Sequence, residues 1–406
     1  MSEKSPMLSL QEALDFLLAA ARPIADSESI LTMDANGRIL AADQTSQIDV
    51  PPADNTQMDG YVMRAADCVS QQPLLISQRI PAGHVPQPLE PGTAARIFTG
   101  AMIPAGADAV VMQEMCEAAD GKVRVLHQPK AGEWIRRAGE DIRAGSTILS
   151  AGTRLQAQEI GLAASVGLAH LPVLRRPKVA VFFTGDELAM PGETLKPGAI
   201  YNSNRFTLRG LLQNLGCEVT DLGIVPDTLA ATRDTLRRAA DGHDLIITSG
   251  GVSVGEEDHI KPAVKAEGRL NMWQIAIKPG KPLAFGEIHG AGPSTFFLGL
   301  PGNPVSSFVT FLLFVRPFIL RLQGVQNVAP PAYSLRADFV WPRADRRNEF
   351  LRARMNANGG LDLFENQSSG VMTSTVWGDG LIDNPAGQTI AAGDMVRFLP
   401  FTGLIH

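Results

Sequence analysis

The chain has 406 residues, 45% of them hydrophobic and 19% charged, enough to bury more than one core, as expected of a soluble globular protein of roughly two to four domains. Lysine and arginine total 36 against 42 acidic residues, a net charge of -6, and the basic clusters Arg136-Arg137 and Arg175-Arg176-Pro-Lys178 are short, so nucleic acid is not an expected partner. The three cysteines, Cys68, Cys116 and Cys217, are too far apart for a CxxC site and make a disulfide framework improbable, so they read as buried reduced thiols.

In chain order, Ser9-Leu-Gln-Glu12 reads as a capping box opening an amphipathic helix. Glu12 and Asp15 interrupt the apolar segment 8–23, against a signal peptide, and the longest apolar run, 308–315, is too short to span a bilayer. The expectation is a cytoplasmic protein with no membrane partner. Residues 30–41 read as a short strand and turn, and Pro51-Pro52 before Asp54-Asn55 marks a boundary. Short strands at 73–77, 109–112 and 123–126, punctuated by Gly and Pro, make a β-rich insert, followed by a helix at 156–166. After the linker-like Arg175-Arg-Pro177 the rhythm changes. Strands at 178–183, 217–225, 244–248, 272–277 and 295–300 are interleaved with helices at 204–215, 228–240 and 260–266, the pattern of a doubly wound sheet. A long helix capped by Asn303, with Pro304 in its first turn, closes this part near Gly324. Strands return at 333–340, 349–355 and 395–398 as a small C-terminal β domain.

Loops after the strands of the alternating region end in acids: Glu187 in Thr184-Gly-Asp-Glu187, Asp227 after the second strand, and three carboxylates closing SGGVSVGEED at Asp258. Such an acid is usually a helix cap, which suits Asp227 before Thr228, whereas Glu187 and Asp258 lie deeper in their loops and favour metal or ligand work. The glycines of SGGVSVG match neither a P-loop nor GxGxxG, but a Gly-rich strand-to-helix loop still points N–H groups at an anion. Lys278-Pro-Gly-Lys-Pro282 is either a solvated turn or a pocket for a small oxyanion. Leu300-Pro-Gly-Asn-Pro304 combines turn chemistry with a helix N-terminus. In the β insert, Asp59-Gly60 and Thr99-Gly100 read first as turns.

In this order, NTQMDGY, FTGAMIPAGADAVV, GEDI, TGDEL, SGGVSVGEED, KPGKPLAFG and LPGNPVSS resemble the molybdopterin molybdenumtransferase family, whose members include bacterial MoeA and the C-terminal domain of gephyrin. The resemblance spans nearly the whole chain, and an ordered set of motifs over about 250 residues is specific where any one is not. It implies a multi-domain α/β plus β fold in an elongated homodimer. The parts are a linker or dimer domain (27–45 and 147–176), a β-rich inserted domain (46–146), a doubly wound molybdopterin-binding-like α/β domain (7–26 and 177–326) and a small barrel-like C-terminal β domain (327–406).

The resemblance also implies a reaction, in which adenylylated molybdopterin and molybdate give molybdenum cofactor and AMP with Mg²⁺ as cofactor. Carried over residue by residue, Asp59, Thr99, Asp141, Glu187, Asp227 and Asp258 match catalytic positions, and the last three are also the metal candidates. Lys278, Lys281, Pro282, Arg352 and Ser369 match molybdate positions, with Ser306 added and Ser368 the alternative to Ser369. Ser249, Gly250, Gly251, Ser253 and Gly255 fall on the pterin or phosphate loop. The sequence departs from the family at Asn55-Thr-Gln-Met, where Asn-Ser-Ala-Met is usual, and in a short loop between Arg352 and Ser369. Molybdopterin adenylyltransferase and molybdoenzyme assembly proteins are the expected partners.

The chemistry is coherent. A bare carboxylate about 4 Å from a phosphate repels it by roughly 4 kcal/mol at an effective dielectric of about 20, and Mg²⁺ held by one or two acids removes that conflict. Molybdate, a tetraoxo dianion, needs the cations and hydroxyls of the second set. Two other readings stand beside this one. On the same fold, an enzyme adenylylating molybdopterin or cleaving another nucleotide pyrophosphate leaves Arg352 and the C-terminal domain without a role. A non-enzymatic scaffold of gephyrin type has no need to keep every acidic and basic position.

Overall fold

In β1 (Lys178–Thr184), Val179, Val181 and Phe183 enter one apolar cluster while Ala180 and Phe182 enter another. A strand with period-2 side chains that are apolar on both sides has to be covered on both faces. Its sheet, in the computed structural model, adds β2 (Glu218–Val225), β3 (Leu245–Ser249), β4 (Gly268–Gln274), β5 (Pro282–Ile288) and β6 (Thr295–Leu300) in the order β2-β1-β3-β6-β5-β4. The first four in that order are parallel, and β5 and β4 extend the sheet antiparallel. Helices α1 (Leu10–Ala20) and α2 (Ser203–Asn214) and the segment Pro304–Leu322 fill one cluster, and α3 (Leu229–Ala240) and α4 (Ile260–Glu267) fill the other. The structure describes residues 7–68, 72–252, 259–290 and 292–405.

The Ser9 capping box is present: the Glu12 N–H donates to Ser9 Oγ at 3.2 Å and the Ser9 N–H to Glu12 Oε2 at 2.8 Å. The strand expected at 272–277 instead ends at Gln274. The N–H of Ile275 goes to Lys281 O and that of Ala276 to Leu8 O, so neither is free to extend the ladder. Ile277–Lys278 then pairs in parallel with Asn348–Glu349. Residues 282–288, for which the sequence reading has no strand, form the full strand β5, with Pro282 at its first position where a missing N–H is tolerated. Pro304–Leu322 is long and apolar enough to cross a bilayer, yet its apolar window is 94% buried within the protein; it continues α5 (Pro304–Thr310) through a π turn at Phe311–Val315. Pro304 occupies the first turn as expected, but the Asn303 side chain makes no capping bond.

The C-terminal strands β7 (Tyr333–Ala337), β8 (Asn348–Met355), β9 (Gly360–Leu363), β10 (Gly380–Asn384) and β11 (Met395–Pro400) pair β8-β9-β7-β11-β10 and back to β8, a closed five-stranded barrel without free edges. Ala337, Leu351, Ala353, Leu361, Ile382 and Phe398 belong to its own core. Phe350, Leu381 and Leu399 join the cluster of the α/β sheet, where Phe308 and Phe401 meet edge to face at 5.4 Å.

Barrel and α/β sheet thus fall in one compact unit, Met1–Glu28, Gly37–Ile39 and Val173–His406; the second unit is Ser29–Asn36 and Leu40–Pro172. In the second unit the strands Ala109–Met112, Gly60–Met63, Thr93–Ile97, Leu74–Ile80, Lys122–Val125 and Cys116–Ala119 form a sheet in that order. Tyr61 and Met63 face one apolar cluster and Val62 the other, so this sheet also is covered on both sides. Cys68 and Cys217 are buried, Cys116 is half-buried, and all three are free thiols.

Candidate active site

The carboxyl ends of β1, β3 and β6 and the loop after β2 line a cleft of about 1020 Å³ in the first unit. Open α/β sheets bind ligands there, because loops leaving for helices on opposite faces diverge. The loop after β3 approaches its neighbours so closely that only glycine serves. Gly250 has φ +101° and a Cβ there would meet Thr184 O at 2.8 Å; Gly251 has φ +63° and would meet Ile260 Cγ1 at 2.6 Å. Ser249 Oγ donates to Pro301 O at 2.9 Å and accepts from Asn204 Nδ2 at 2.8 Å, and Asn204 also donates to Gly302 O at 2.8 Å. One asparagine on α2 therefore ties the loop after β3 to the loop after β6. Ser253, Gly255 and Asp258 lie outside the described residues.

Glu187 and Asp227 both line the cleft. The cap of α3 is Thr228, whose Oγ1 accepts the Ala231 N–H at 3.3 Å, so the capping role expected of Asp227 is taken by its neighbour and the Asp227 carboxylate is left for the cleft. Among the described residues no three His, Cys, Asp or Glu side chains gather into a metal cluster.

Lys278, Pro282, Lys281, Ser306, Ser368 and Ser369 all line the same cleft. Gly280, at φ +110°, lies so close to α5 that a Cβ would come within 2.5 Å of Thr310 Oγ1. The two lysines are not equivalent. Lys278 Nζ pairs with Glu349 at 3.0 Å and Asp345 at 3.2 Å, whereas Lys281 has no carboxylate partner among the described residues. Burial disfavours the Lys278 ammonium, yet the hydrogen bonds and charges of Glu349 and Asp345 outweigh it and raise its pKa above the ordinary value. Glu349 is 1% exposed and also accepts from Trp341 Nε1 at 2.8 Å and Asn384 Nδ2 at 3.3 Å.

Arg347 lines the cleft and was not singled out in the sequence. Asp345 grips its Nε and one terminal nitrogen at 3.0 Å each, and the Arg347 hydrogen bonds, helped by Lys278, outweigh the opposing effect of burial and hold the Asp345 carboxyl well below the usual carboxylate range. Arg352 is fully buried in the barrel and is not among the cleft-lining residues. Its guanidinium donates to Ser374 Oγ at 3.0 Å, Phe350 O at 3.2 Å and Ser368 O at 3.3 Å, and burial pushes its pKa down to about 10. In this structure it anchors the segment carrying Ser368 and Ser369, and Ser369 O in turn accepts the Val305 N–H at 2.9 Å at the start of α5.

Asp59, Thr99 and Asp141 belong to the second unit. The N–H and hydroxyl of Thr99 both donate to Asp59 Oδ1 at 2.7 Å, and these bonds hold the Asp59 carboxyl below its ordinary value. Asp141 is exposed, and its N–H donates to Val50 O at 3.0 Å.

A mixed α/β sheet with a ligand cleft at its strand ends thus shares its core with a closed five-stranded barrel. Residues 8–167 match the MoeA N-terminal region (domains I and II), residues 180–321 a probable molybdopterin binding domain, and residues 334–401 the MoeA C-terminal region (domain IV). The chain is 40% identical to the molybdopterin molybdenumtransferase of Haemophilus influenzae over 98% of its own length and 100% of that protein. It is 34% identical to gephyrin of Dictyostelium discoideum over 78% of its length and 50% of that protein. The solved molybdopterin biosynthesis MoeA protein of Pyrococcus horikoshii OT3 superposes with a TM-score of 0.85 at 29% identity, covering 97% of this chain and 100% of that one. The chain belongs to the molybdopterin molybdenumtransferase family.

Proposed function

We propose that this transferase inserts molybdate into adenylylated molybdopterin with release of AMP, in a Mg²⁺-dependent reaction. The observation that carries the reading is one cleft lined by both acids and cations: Glu187 and Asp227 together with Lys281, Arg347, Ser306, Ser368 and Ser369. A pterin on a pyrophosphate and a tetraoxo dianion are both anionic, and to share a cleft they need separate neutralisation. Lys281, with no carboxylate partner among the described residues, is the cation best able to meet molybdate, and the serine hydroxyls supply oriented donors. Lys278, held between Glu349 and Asp345, acts by fixing the loop that presents Lys281. The Gly250-Gly251 backbone allows the closest approach of pterin or phosphate.

Two hard oxygen donors, Glu187 and Asp227, with Asp258 as a third candidate, suit Mg²⁺, which binds through one or two carboxylates plus substrate phosphate oxygens. Held there, the ion would offset the pyrophosphate charge. Asp59, Thr99 and Asp141 retain their proposed catalytic roles. The same reading takes the chain as a cytoplasmic homodimer that receives substrate from molybdopterin adenylyltransferase and hands product to molybdoenzyme assembly proteins.

The test is incubation of the purified protein with adenylylated molybdopterin, molybdate and Mg²⁺. AMP is expected in step with cofactor that restores an apo-molybdoenzyme, and both are expected to vanish with chelator. Absence of AMP and cofactor, or consumption of ATP with molybdopterin instead, would overturn it.

A further inference from the structure

Asn202 immediately precedes α2, lines the cleft and is 2% exposed. Its Oδ1 accepts the Arg205 N–H at 3.1 Å, the expected capping bond. Its Nδ2 is buried and has no hydrogen-bond partner among the described residues. A buried amide donor left unmatched is costly to keep unless something entering the cleft completes it. The next two residues, Ser203 and Asn204, also line the cleft, and their N–H groups belong to the first turn, where no intrahelical acceptor exists. α2 has 12 residues, long enough for a developed positive end.

We infer that the amino end of α2 is an oxyanion subsite, in which Asn202 Nδ2 and the first-turn N–H groups take a phosphate oxygen of the substrate. The inference rests on the proposed function, which puts a nucleotide pyrophosphate in this cleft. Phosphate is preferred to molybdate because of the neighbourhood. Leu188–Ala189 pairs in parallel with Ile200–Tyr201, the Ile200 N–H donates to Glu187 O at 2.8 Å and the Asn202 N–H to Ala189 O at 2.9 Å. The ladder thus seats Asn202 beside the Glu187 segment rather than in the lysine loop. Competing partners nearby are already engaged: Arg205 Nε is bonded to Asp221 at 2.8 Å, and Asn204 Nδ2 to Ser249 and Gly302.

Two variants of the full chain separate the donor from the cap. Asn202→Asp keeps the size and the capping oxygen but replaces the donor with a repelling oxygen; Asn202→Ser also caps, is neutral, and lacks the amide. Isothermal titration with inorganic pyrophosphate, AMP and molybdate is expected to show both variants losing at least roughly tenfold in pyrophosphate and AMP affinity, as for a charge-assisted hydrogen bond, with molybdate binding and thermal melts unchanged. Wild-type failure to bind pyrophosphate or AMP, wild-type affinity in Asn202→Ser, or a loss confined to molybdate overturns the subsite. Pyrophosphate binding that these variants abolish, in a wild type that makes no cofactor, sinks the proposed reaction and leaves the subsite standing.

Discussion

Lys278 and Lys281 stand three positions apart on one loop and do different work. In the sequence they are a pair; only the barrel, over sixty residues further on, distinguishes them by supplying Asp345 and Glu349. Lys278→Ala leaves the buried Glu349 carboxylate without its cation and is expected to cost about 1–3 kcal/mol in chemical denaturation, the lower part of the range because Lys278 is 41% exposed. Lys281→Ala is expected to leave stability within about 0.5 kcal/mol of wild type, while raising the molybdate concentration for half-maximal activity at least roughly tenfold. Equal stability loss in both variants would return the pair to equivalence. Asp345 carries a pH signature. Its folded pKa is depressed, so its stabilisation is present above the ordinary value of 3.8 and is lost as pH falls through the folded value; Lys278, raised above 10.5, contributes fully below that value and loses its share only as pH climbs through the folded pKa. The stability gap between wild type and Asp345→Asn is therefore expected to be flat across neutral pH and to shrink in strong acid, measured by urea unfolding. A gap that widens in acid contradicts the network. Arg352 shows the limit of residue-level reading: the family resemblance marks it for molybdate, but its burial in the barrel is a property of pairing between β8 and β10.

At the scale of elements, alternation and helical spacing were legible wherever an element's ends are set locally. β1 and α2 declare themselves through their apolar period, and the Ser9 box is as written. The reading failed at residues 272–277, where Lys281 and Leu8, distant or across a loop, claim the backbone, and at β5, which starts at the last residue of the Lys278–Pro282 turn. The unused amide of Asn202 was likewise invisible, because a capping residue looks the same whether or not its other end is satisfied. Gly280 governs how near the lysine loop lies to α5. Gly280→Ala is expected to cost about 1–3 kcal/mol through its positive φ and the contact with Thr310 Oγ1, and to weaken molybdate binding. Adding Thr310→Ala removes the contact but not the backbone strain, so a partial recovery in the double variant is expected. Additive losses mean the two residues do not meet.

For the whole molecule, the two units carry separate cores. Residues 40–172 expressed alone are expected to melt cooperatively, because their sheet is covered on both faces from within that stretch. A broad, featureless melt would show that the stretch depends on the rest of the chain. Truncation after residue 326 is expected to behave oppositely and yield aggregating protein, since Phe350, Leu381, Leu399 and Phe401 leave a cluster that includes Phe308 and β6. The sequence marks the change of rhythm at this boundary but not the shared core, because β8 alternates between two clusters and only the folded barrel decides which residue faces which.

Ile277–Lys278 is stitched to Asn348–Glu349, and the charge of Lys278 is answered by carboxylates rooted in or beside β8. Recombination therefore cannot trade the C-terminal barrel as a free cassette. An incoming barrel without acids at the places of Asp345 and Glu349 would leave its host with a loop of altered charge and a strand without a mate. Descent is expected to keep the two segments together, with accepted changes at Lys278 accompanied by changes at Glu349.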